Sequence, residues 1–334
     1  MSLRTLQAAA LAATLAFASQ ARAGELPLPK DGWASWDVQA VDDAPAMCCW
    51  GNWTNGVAQP ESCNLDGDKH GYGTQGHETT STMRIYAKFA NGKLEKLRPL
   101  AASCPVETKT PIQKLDGIAT DDSARWLIGI THQPGVIGKS RHDDGEEVIL
   151  ALAAHRGDVA FDGLANLARN DANEEGRKQA IFWIANMRGV QGADLVANIM
   201  FADKSSEVRK HSIFALTLSK SPRIAADITK AGNTDKDGDV RAQAWFWLAQ
   251  TRAPSAEAAL VAAAKNDADD HVREQAIFAM SQLPDERSTK ALIMAAEDKS
   301  LDREQRKRAV FWLGQSGKPG AQEYLDKVLL GSTR

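Results

Sequence analysis

The chain has 334 residues, a length that allows roughly two to three domains. With 43% hydrophobic and 25% charged residues it has the composition of a globular protein, which excludes a disordered or fibrous chain. A formal net charge of −3 excludes the strongly basic surface that tracks a phosphate backbone, so we expect no nucleic-acid partner.

Residues 1–23 have the pattern of a secretory signal peptide. Arg4 supplies the positive charge, residues 8–18 are apolar, and Ala21-Arg22-Ala23 is an A-x-A cleavage site. No later apolar stretch approaches the roughly 20 residues needed to span a bilayer, so we expect no membrane span. The segment predicts an exported protein, periplasmic or extracellular after cleavage. The alternative is an uncleaved N-terminal anchor.

All four cysteines lie in the first third of the chain, at Cys48, Cys49, Cys63 and Cys104. In an oxidising compartment, an even number confined to one segment predicts two disulfides. A bridge between the neighbours Cys48 and Cys49 would be strained, so we expect one of them to pair with Cys63 and the other with Cys104. A zinc site is the alternative, although the spacing contains no C-x-x-C pair.

Residues 24–114 are rich in Gly, Asp, Asn, Trp and Thr and show no helical period, which predicts a small Cys-containing β-rich domain. In it, residues 82–89 alternate like a strand, Asn91-Gly92 is a type I′ turn signal, and residues 94–100 form the returning strand. Residues 115–144 combine a helical pattern at 120–131 with a linker.

From residue 145 to residue 334 the sequence repeats itself. Each of five repeats has an arginine followed by an apolar pattern, and successive arginines are 32, 32, 32 and 33 residues apart. The repeat arginines are Arg177, Arg209, Arg241, Arg273 and Arg306. Val148 opens the same pattern one period earlier, and a second amphipathic stretch follows each motif. Two helices in about 32 residues predict an α-solenoid of about six repeats.

The V-R-x-x-A-x-x-x-L core appears at Val208-Arg209, Val240-Arg241 and Val272-Arg273, each with a small residue three positions after the arginine. It resembles bacterial HEAT-like repeats of the type first described in phycobilin lyases, over roughly residues 145–330. The resemblance implies a mainly α fold: a right-handed α-solenoid of HEAT-like helix pairs, preceded by the small disulfide-stapled β-rich domain.

This family includes adaptors, chromophore lyases and an iron-dependent hydroxylase. Resemblance to the hydroxylase would require His-Glu pairs on several solenoid helices, and no repeat here contains one. The order of signal peptide, Cys-containing β region and solenoid is also similar to a set of exported bacterial proteins.

A phenylalanine stands five positions after every repeat arginine: Phe182, Phe214, Phe246, Phe278 and Phe311. At 100° per residue it points about 140° away from the arginine, whereas the next position points about 120° the other way. That next position alternates between large and small residues: Trp183, Ala215, Trp247, Ala279 and Trp312. We expect each Phe to pack against this residue of an adjacent repeat. The alternative is an exposed aromatic stripe on the convex face that binds a partner.

Three oxygen-bearing residues, Asn233, Asp235 and Asp237, match the first positions of an EF-hand-type calcium loop. The position of the bidentate Glu is Ala244, so the alternative is a loop whose aspartate caps the next helix. We expect no other cofactor. His155 and His211 lie on predicted helices without a carboxylate at i±4, which favours satisfied structural histidines.

The patterns together favour a non-enzymatic exported scaffold. We expect its concave face, lined by the helix that follows each arginine helix, to bind a protein or peptide partner in the cell envelope. The alternative is a metal-dependent enzyme, a HEAT-like hydroxylase or lyase relative, with a site at the junction of the two domains near His132, His142, Asp143 and Asp144.

Overall fold

The computed structural model describes residues 26–42, 44–54, 57–60, 62–67, 72–73, 79–133, 144–284 and 286–331. In these ranges nine strands precede thirteen helices. The strands are β1 (Gly32–Gln39), β2 (Cys48–Thr54), β3 (Val57–Pro60), β4 (Cys63–Asn64), β5 (Tyr72–Gly73), β6 (Thr82–Ala90), β7 (Lys93–Ala101), β8 (Val106–Glu107) and β9 (Ile112–Lys114). The helices are α1 (Thr120–Thr131), α2 (Asp144–Ala154), α3 (Asp158–Asn170), α4 (Glu174–Met187), α5 (Gly189–Ala202), α6 (Ser206–Thr217), α7 (Ile224–Thr234), α8 (Gly238–Gln250), α9 (Ala256–Asn266), α10 (Asp270–Ser281), α11 (Arg287–Glu297), α12 (Arg303–Ser316) and α13 (Pro319–Gly331).

The main sheet has four strands in the order β7-β6-β1-β9. β6 is antiparallel to both β1 and β7, and β9 joins β1 in parallel. The turn between β6 and β7 has positive φ at both Asn91 and Gly92, as a type I′ turn requires. The hairpin predicted from alternation and the Asn-Gly signal is therefore confirmed.

The two faces of this sheet are buried against different layers. Trp36 and Ile85 face the helices and belong to an apolar core that continues without a break to Ala321 in α13. On the opposite face Trp33 and Tyr86 pack with the cysteines in a second, smaller core. The sheet therefore closes the N-terminal end of the helical stack.

The second core is held by two disulfides. Cys49 is bonded to Cys63, with Cα atoms 5.1 Å apart, and Cys48 to Cys104, with Cα atoms 5.6 Å apart. The two neighbouring cysteines therefore tie β2 to two different segments, β4 and the loop after β7. Closing each loop restricts the unfolded chain and stabilises a region whose other strands are only two to four residues long.

Thirteen helices in a repeated HEAT-like arrangement confirm the mainly α fold. We call α4, α6, α8, α10 and α12, which contain the repeat arginines, the arginine helices. Each starts after a residue whose side-chain oxygen accepts a backbone N–H of the first turn: Asn173, Ser205, Asp237, Asp269 and Asp302. Such caps satisfy amide groups that the helix leaves free, which explains the sharp helix starts.

The pairing of helices differs from the expectation that each arginine helix pairs with the helix after it. From α6 onward, each arginine helix packs more extensively against the helix before it. The physical reason lies in the segment that joins the two helices of each tight pair. This segment is a short turn containing an aspartate, and the arginine side chain of the following helix donates a hydrogen bond to a backbone carbonyl of the turn. The tight helix pair is thus closed by its own arginine.

The expected lining of the concave face was also wrong. Consecutive arginine helices pack against each other more closely than consecutive members of the other layer, α5, α7, α9, α11 and α13, do. In a curved stack the more closely packed layer is the inner one, so the arginine helices line the concave side. No helix in the described part of the chain is both long and apolar enough to cross a membrane.

Candidate functional site

Eight aromatic side chains of the arginine helices form a continuous series of ring contacts, which we call the aromatic row. Neighbouring ring centroids in this row are 4.9 to 6.3 Å apart. In order of contact the rings are Trp183, Phe182, Phe214, Trp247, Phe246, Phe278, Trp312 and Phe311. Aromatic contacts therefore link five successive arginine helices.

The ring that each phenylalanine contacts depends on the next arginine helix, and in particular on the size of the residue six positions after the arginine of that helix. Phe214 packs against Trp247 at 5.0 Å, and Phe278 packs against Trp312 at 4.9 Å. Phe182 and Phe246 depart from the expected pattern, since they stack on the next phenylalanine at 6.3 and 6.1 Å. The following helix offers alanine at the relevant position in those two cases, so no ring is present there.

The aromatic row is only half-buried, although the opposite face of the same helices is fully buried. Residues three and seven positions after each arginine, such as Ala244 and Leu248, have no exposed surface, whereas Phe246 and Trp247 are partly exposed. Because the arginine helices form the inner layer, the row lies on the concave side and not on the convex face, where the alternative interpretation of the sequence placed an exposed stripe. It is the largest set of linked aromatic rings in the described chain.

Amide and charged side chains flank the rings. Between α8 and α10 the row borders an open cavity of about 400 Å³. Phe246 and Phe278 form its apolar wall, Gln243 and Gln275 supply amides, and the remaining lining residues are Lys210, Asp239, Ala242 and His271. The cavity thus combines stacked rings with groups that both donate and accept hydrogen bonds.

Three buried polar atoms on this face have no hydrogen-bond partner in the described structure: Gln179 Oε1, His211 Nε2 and Trp247 Nε1. Buried polar groups are normally paired, and leaving one unpaired costs about 1–3 kcal/mol. Burial, with the nearby charge of Lys178, holds the pKa of His211 below its ordinary value. His211 is therefore not the fully satisfied histidine that the sequence predicted.

Behind the aromatic row, the repeat arginines form buried ion pairs between successive helix pairs. Each of the first three binds an aspartate 26 residues later through two hydrogen bonds of 2.8 to 3.3 Å: Arg177 with Asp203, Arg209 with Asp235, and Arg241 with Asp267. Hydrogen bonding to Asp235 raises the pKa of Arg209. Sequence reasoning missed these aspartates, although they recur with the same 32-residue period as the arginines.

The last two arginines differ from the first three. Arg273 forms an ion pair with Asp270 in its own helix, and Arg306 donates to the carbonyl of Leu301. The buried ion pairs therefore run only from α4 to the turn before α10.

The structure gives the candidate calcium ligands other roles. Asn233 lies inside α7, the Asp235 carboxylate binds Arg209, and Asp237 caps α8 by accepting from Asp239 N and Val240 N. In the described ranges no group of three His, Cys, Asp or Glu side chains is placed to hold a metal ion. The helix-capping alternative is the one the geometry supports.

At the junction of sheet and helices lies a buried polar chain. Trp36 Nε1 donates to Ser123 Oγ at 2.8 Å, and Ser123 Oγ is 2.8 Å from His155 Nε2. His155 Nδ1 is 2.6 Å from the carbonyl of Ala151. Burial lowers the pKa of His155 to about 4, helped by the charge of Arg188 and opposed by the hydrogen bond to Ala151. The group is a neutral structural link between β1, α1 and α2.

The other junction residues do not form a site in the described structure. His132 is the exposed residue at the end of α1, and Asp144 begins α2. His142 and Asp143 lie outside the described residues.

A family model matches the repeat region of the chain. Residues 161–245 and 228–310 match the family model of HEAT repeats. Among solved structures, the chain is similar to Escherichia coli YibA, at 22% identity and a TM-score of 0.37, over 63% of this chain and 76% of that one. It is also similar to human deoxyhypusine hydroxylase in complex with glycerol, at 12% identity and a TM-score of 0.29, over 60% and 88%. No curated protein matches the sequence. The helical part of the chain is built from HEAT-like repeats.

Proposed function

We propose that this chain is an exported scaffold that binds an extended segment of a partner protein in the cell envelope, along the aromatic row. The observation that carries the proposal is the half-buried aromatic row itself, continuous across five arginine helices on the concave side. Aromatic residues, Phe and Trp among them, are enriched at protein interfaces, and Trp is enriched among the residues that contribute most of the binding energy.

The spacing of the repeats suits an extended peptide. Packed helix axes are about 8–10 Å apart, and an extended chain advances about 3.3 Å per residue. Three peptide residues therefore span one repeat, and about 12 residues span the four intervals between five arginine helices. Side chains of a β-strand alternate between its two faces, so an extended segment in the polyproline II conformation, with three residues per turn, is the one whose every third side chain would meet successive rings of the aromatic row.

The polar groups beside the rings suit a peptide backbone. Gln243 and Gln275 each carry a carbonyl acceptor and an amide donor, which match the N–H and C=O groups of an extended chain. The unpaired Gln179 Oε1, His211 Nε2 and Trp247 Nε1 are further groups that side-chain rearrangement on binding could satisfy. The repeats thus offer hydrogen bonds at regular intervals beside an apolar surface.

Export is supported by the two disulfides, which persist in oxidising compartments and are rare in the cytosol. An envelope partner follows from that location and from the signal-peptide pattern of residues 1–23.

The test uses a phage library of random 15-residue peptides selected on the folded chain, and fluorescence anisotropy of the selected peptides. We expect Phe246→Ala and Gln243→Ala to weaken binding at least about tenfold, because both line the cavity between α8 and α10. The matched control is Met294→Ala, which removes an exposed apolar side chain on α11. Selection of no peptide, or equal loss with Met294→Ala, would contradict the proposal.

A further inference from the structure

An acidic residue stands two positions before the repeat arginine in four of the five arginine helices. In three of them its carboxylate forms an ion pair with a lysine three positions later, on the next turn of the same helix. The pairs are Glu175 with Lys178 at 2.8 Å, Glu207 with Lys210 at 2.6 Å, and Glu304 with Lys307 at 2.7 Å. The same ion pair thus recurs at the same place in these repeats.

In α8 the acidic residue is present and the lysine is missing. Asp239 stands two positions before the repeat arginine, and the residue three positions after Asp239 is Ala242. In the described chain, the basic group within 4 Å of the Asp239 carboxylate is His271 Nε2 at 3.7 Å, which is longer than a hydrogen bond. Since 70% of the Asp239 side chain is exposed, a binding partner can reach its carboxylate.

The open cavity of about 400 Å³ between α8 and α10 lies beside Ala242. The position of Ala242 is a lysine or a glutamate in the other four arginine helices, so the short alanine side chain leaves space that a long side chain fills elsewhere. Asp239, Phe246 and Phe278 also line this cavity. The cavity therefore combines a carboxylate with two aromatic rings.

Lys210 lines the cavity as well, and its charge is already compensated. Its ammonium group lies 2.6 Å from a Glu207 carboxylate oxygen. This hydrogen bond raises the pKa of Lys210, and the charges of Asp239 and Asp237 raise it further. A raised pKa of a lysine means that its surroundings favour positive charge. Asp239 is thus the charged residue of the cavity that lacks a close partner of opposite sign.

Given the proposed function, on which this inference rests, we propose that a lysine or arginine side chain of the partner segment enters the cavity and takes the place of the lysine that α8 lacks. Its cationic group pairs with the Asp239 carboxylate. The π electrons of Phe246 attract the same charge, and the amide oxygens of Gln243 and Gln275 accept its remaining hydrogens. The cavity thus selects a basic residue in the segment that the aromatic row binds.

The test uses the tightest-binding 15-residue peptide from the phage selection. We expect this peptide to carry a basic residue whose replacement by glutamine weakens binding at least about fivefold. Asp239→Asn in the chain should weaken binding of the basic peptide by a similar factor and leave binding of the glutamine peptide unchanged, because both changes remove the same ion pair. Fluorescence anisotropy measures the four combinations. Exchanging lysine for arginine in the peptide should retain more affinity than glutamine does, and it identifies which cation fits better.

Asp194→Asn is the matched control, because Asp194 is a half-exposed aspartate on α5, outside this cavity, and its loss should leave binding of the basic peptide unchanged. Far-UV circular dichroism of each variant checks that the fold is retained. Selected peptides without a basic residue, or a basic peptide that binds Asp239→Asn undiminished, would overturn the inference and leave the proposed function standing. Selection of no peptide would remove the proposed function, and the inference with it.

Discussion

Arg209 and Asp235 are joined by two hydrogen bonds of 2.8 and 2.9 Å, and only 4% and 7% of their side chains are exposed. The two residues belong to successive helix pairs, so their contact fixes one repeat against the next. The carbonyl of Asp235 also accepts from Arg241 at 3.0 Å. One aspartate therefore connects the arginines of two repeats.

Asp235→Ala should lower the free energy of unfolding by about 3–5 kcal/mol, because it leaves the buried charge of Arg209 without a partner. The matched control is Asp194→Ala, which breaks the ion pair with Arg223 on the surface, where 59% of the arginine side chain is exposed. That change should cost less than about 1 kcal/mol. Urea unfolding followed by circular dichroism at 222 nm measures both. Equal losses would contradict the prediction.

Acid should weaken the junction through His155. Its pKa is about 4 in the folded chain against 6.5 ordinarily, so the unfolded chain binds the proton first as the pH falls. The contribution of neutral His155 to the free energy of unfolding is complete above pH 6.5. It is lost progressively as the pH falls toward 4, and the loss reaches up to about 3 kcal/mol. His155→Gln should therefore flatten the pH dependence of the urea midpoint across this window. An unchanged slope in His155→Gln would refute the assignment.

Breaking the disulfides should loosen the second core and leave the helices folded, since the cysteines lie on the sheet face away from α1 and α2. The bridge between Cys48 and Cys104 spans 56 residues and that between Cys49 and Cys63 spans 14. Replacing both cysteines of a bridge by serine should cost about 4 kcal/mol for the long loop and about 3 for the short one. Near-UV circular dichroism reports the packing of the second core, and far-UV circular dichroism reports the helices. Simultaneous loss of both signals would contradict the prediction.

Gly232 and Gly129 should respond oppositely to alanine. A Cβ at Gly232 in α7 would lie 2.6 Å from the indole of Trp245, which is 1% exposed and has little room to move. Gly232→Ala should therefore destabilise the chain by about 1–3 kcal/mol. A Cβ at Gly129 in α1 would have no such neighbour within 4 Å, so Gly129→Ala should stabilise the chain by up to about 1 kcal/mol. Thermal unfolding compares the two, and a stabilising Gly232→Ala would disprove the packing argument.

The helices, the strands and their repetition can be predicted from the sequence because they depend on local patterns of residues. The 32-residue period, the apolar positions after each arginine and the Asn91-Gly92 turn are all readable along the chain. Which neighbouring helix forms the tight pair was not readable, because it depends on how an arginine such as Arg241 reaches the turn before it. That contact exists only after the helices have packed.

The candidate site was predictable in part for the same reason. The rings stand at fixed positions in the repeat, but their contacts depend on the facing residue: Phe214 meets Trp247, whereas Phe182 faces a helix with Ala215 and stacks on Phe214 instead. The exposure of the row depends on which layer is inner, which no local pattern encodes. The buried aspartates recur with the same 32-residue period as the arginines, so an alignment of the repeats on both residue types predicts the ion pairs.

The series of buried ion pairs ends where the period lengthens from 32 to 33 residues. Arg273 turns to Asp270 on its own helix, and Asp298, near the position where its partner would stand, binds Lys265 at 2.5 Å. The last helices therefore lack the buried arginine–aspartate ion pair of the earlier repeats, and the buried hydrogen bond that joins α12 to an earlier helix runs from the Gln305 amide to the carbonyl of Ala264. A force that separates the ends of the stack should detach α11 to α13 as one block, and their amide hydrogens should exchange with deuterium before those of α4 to α8.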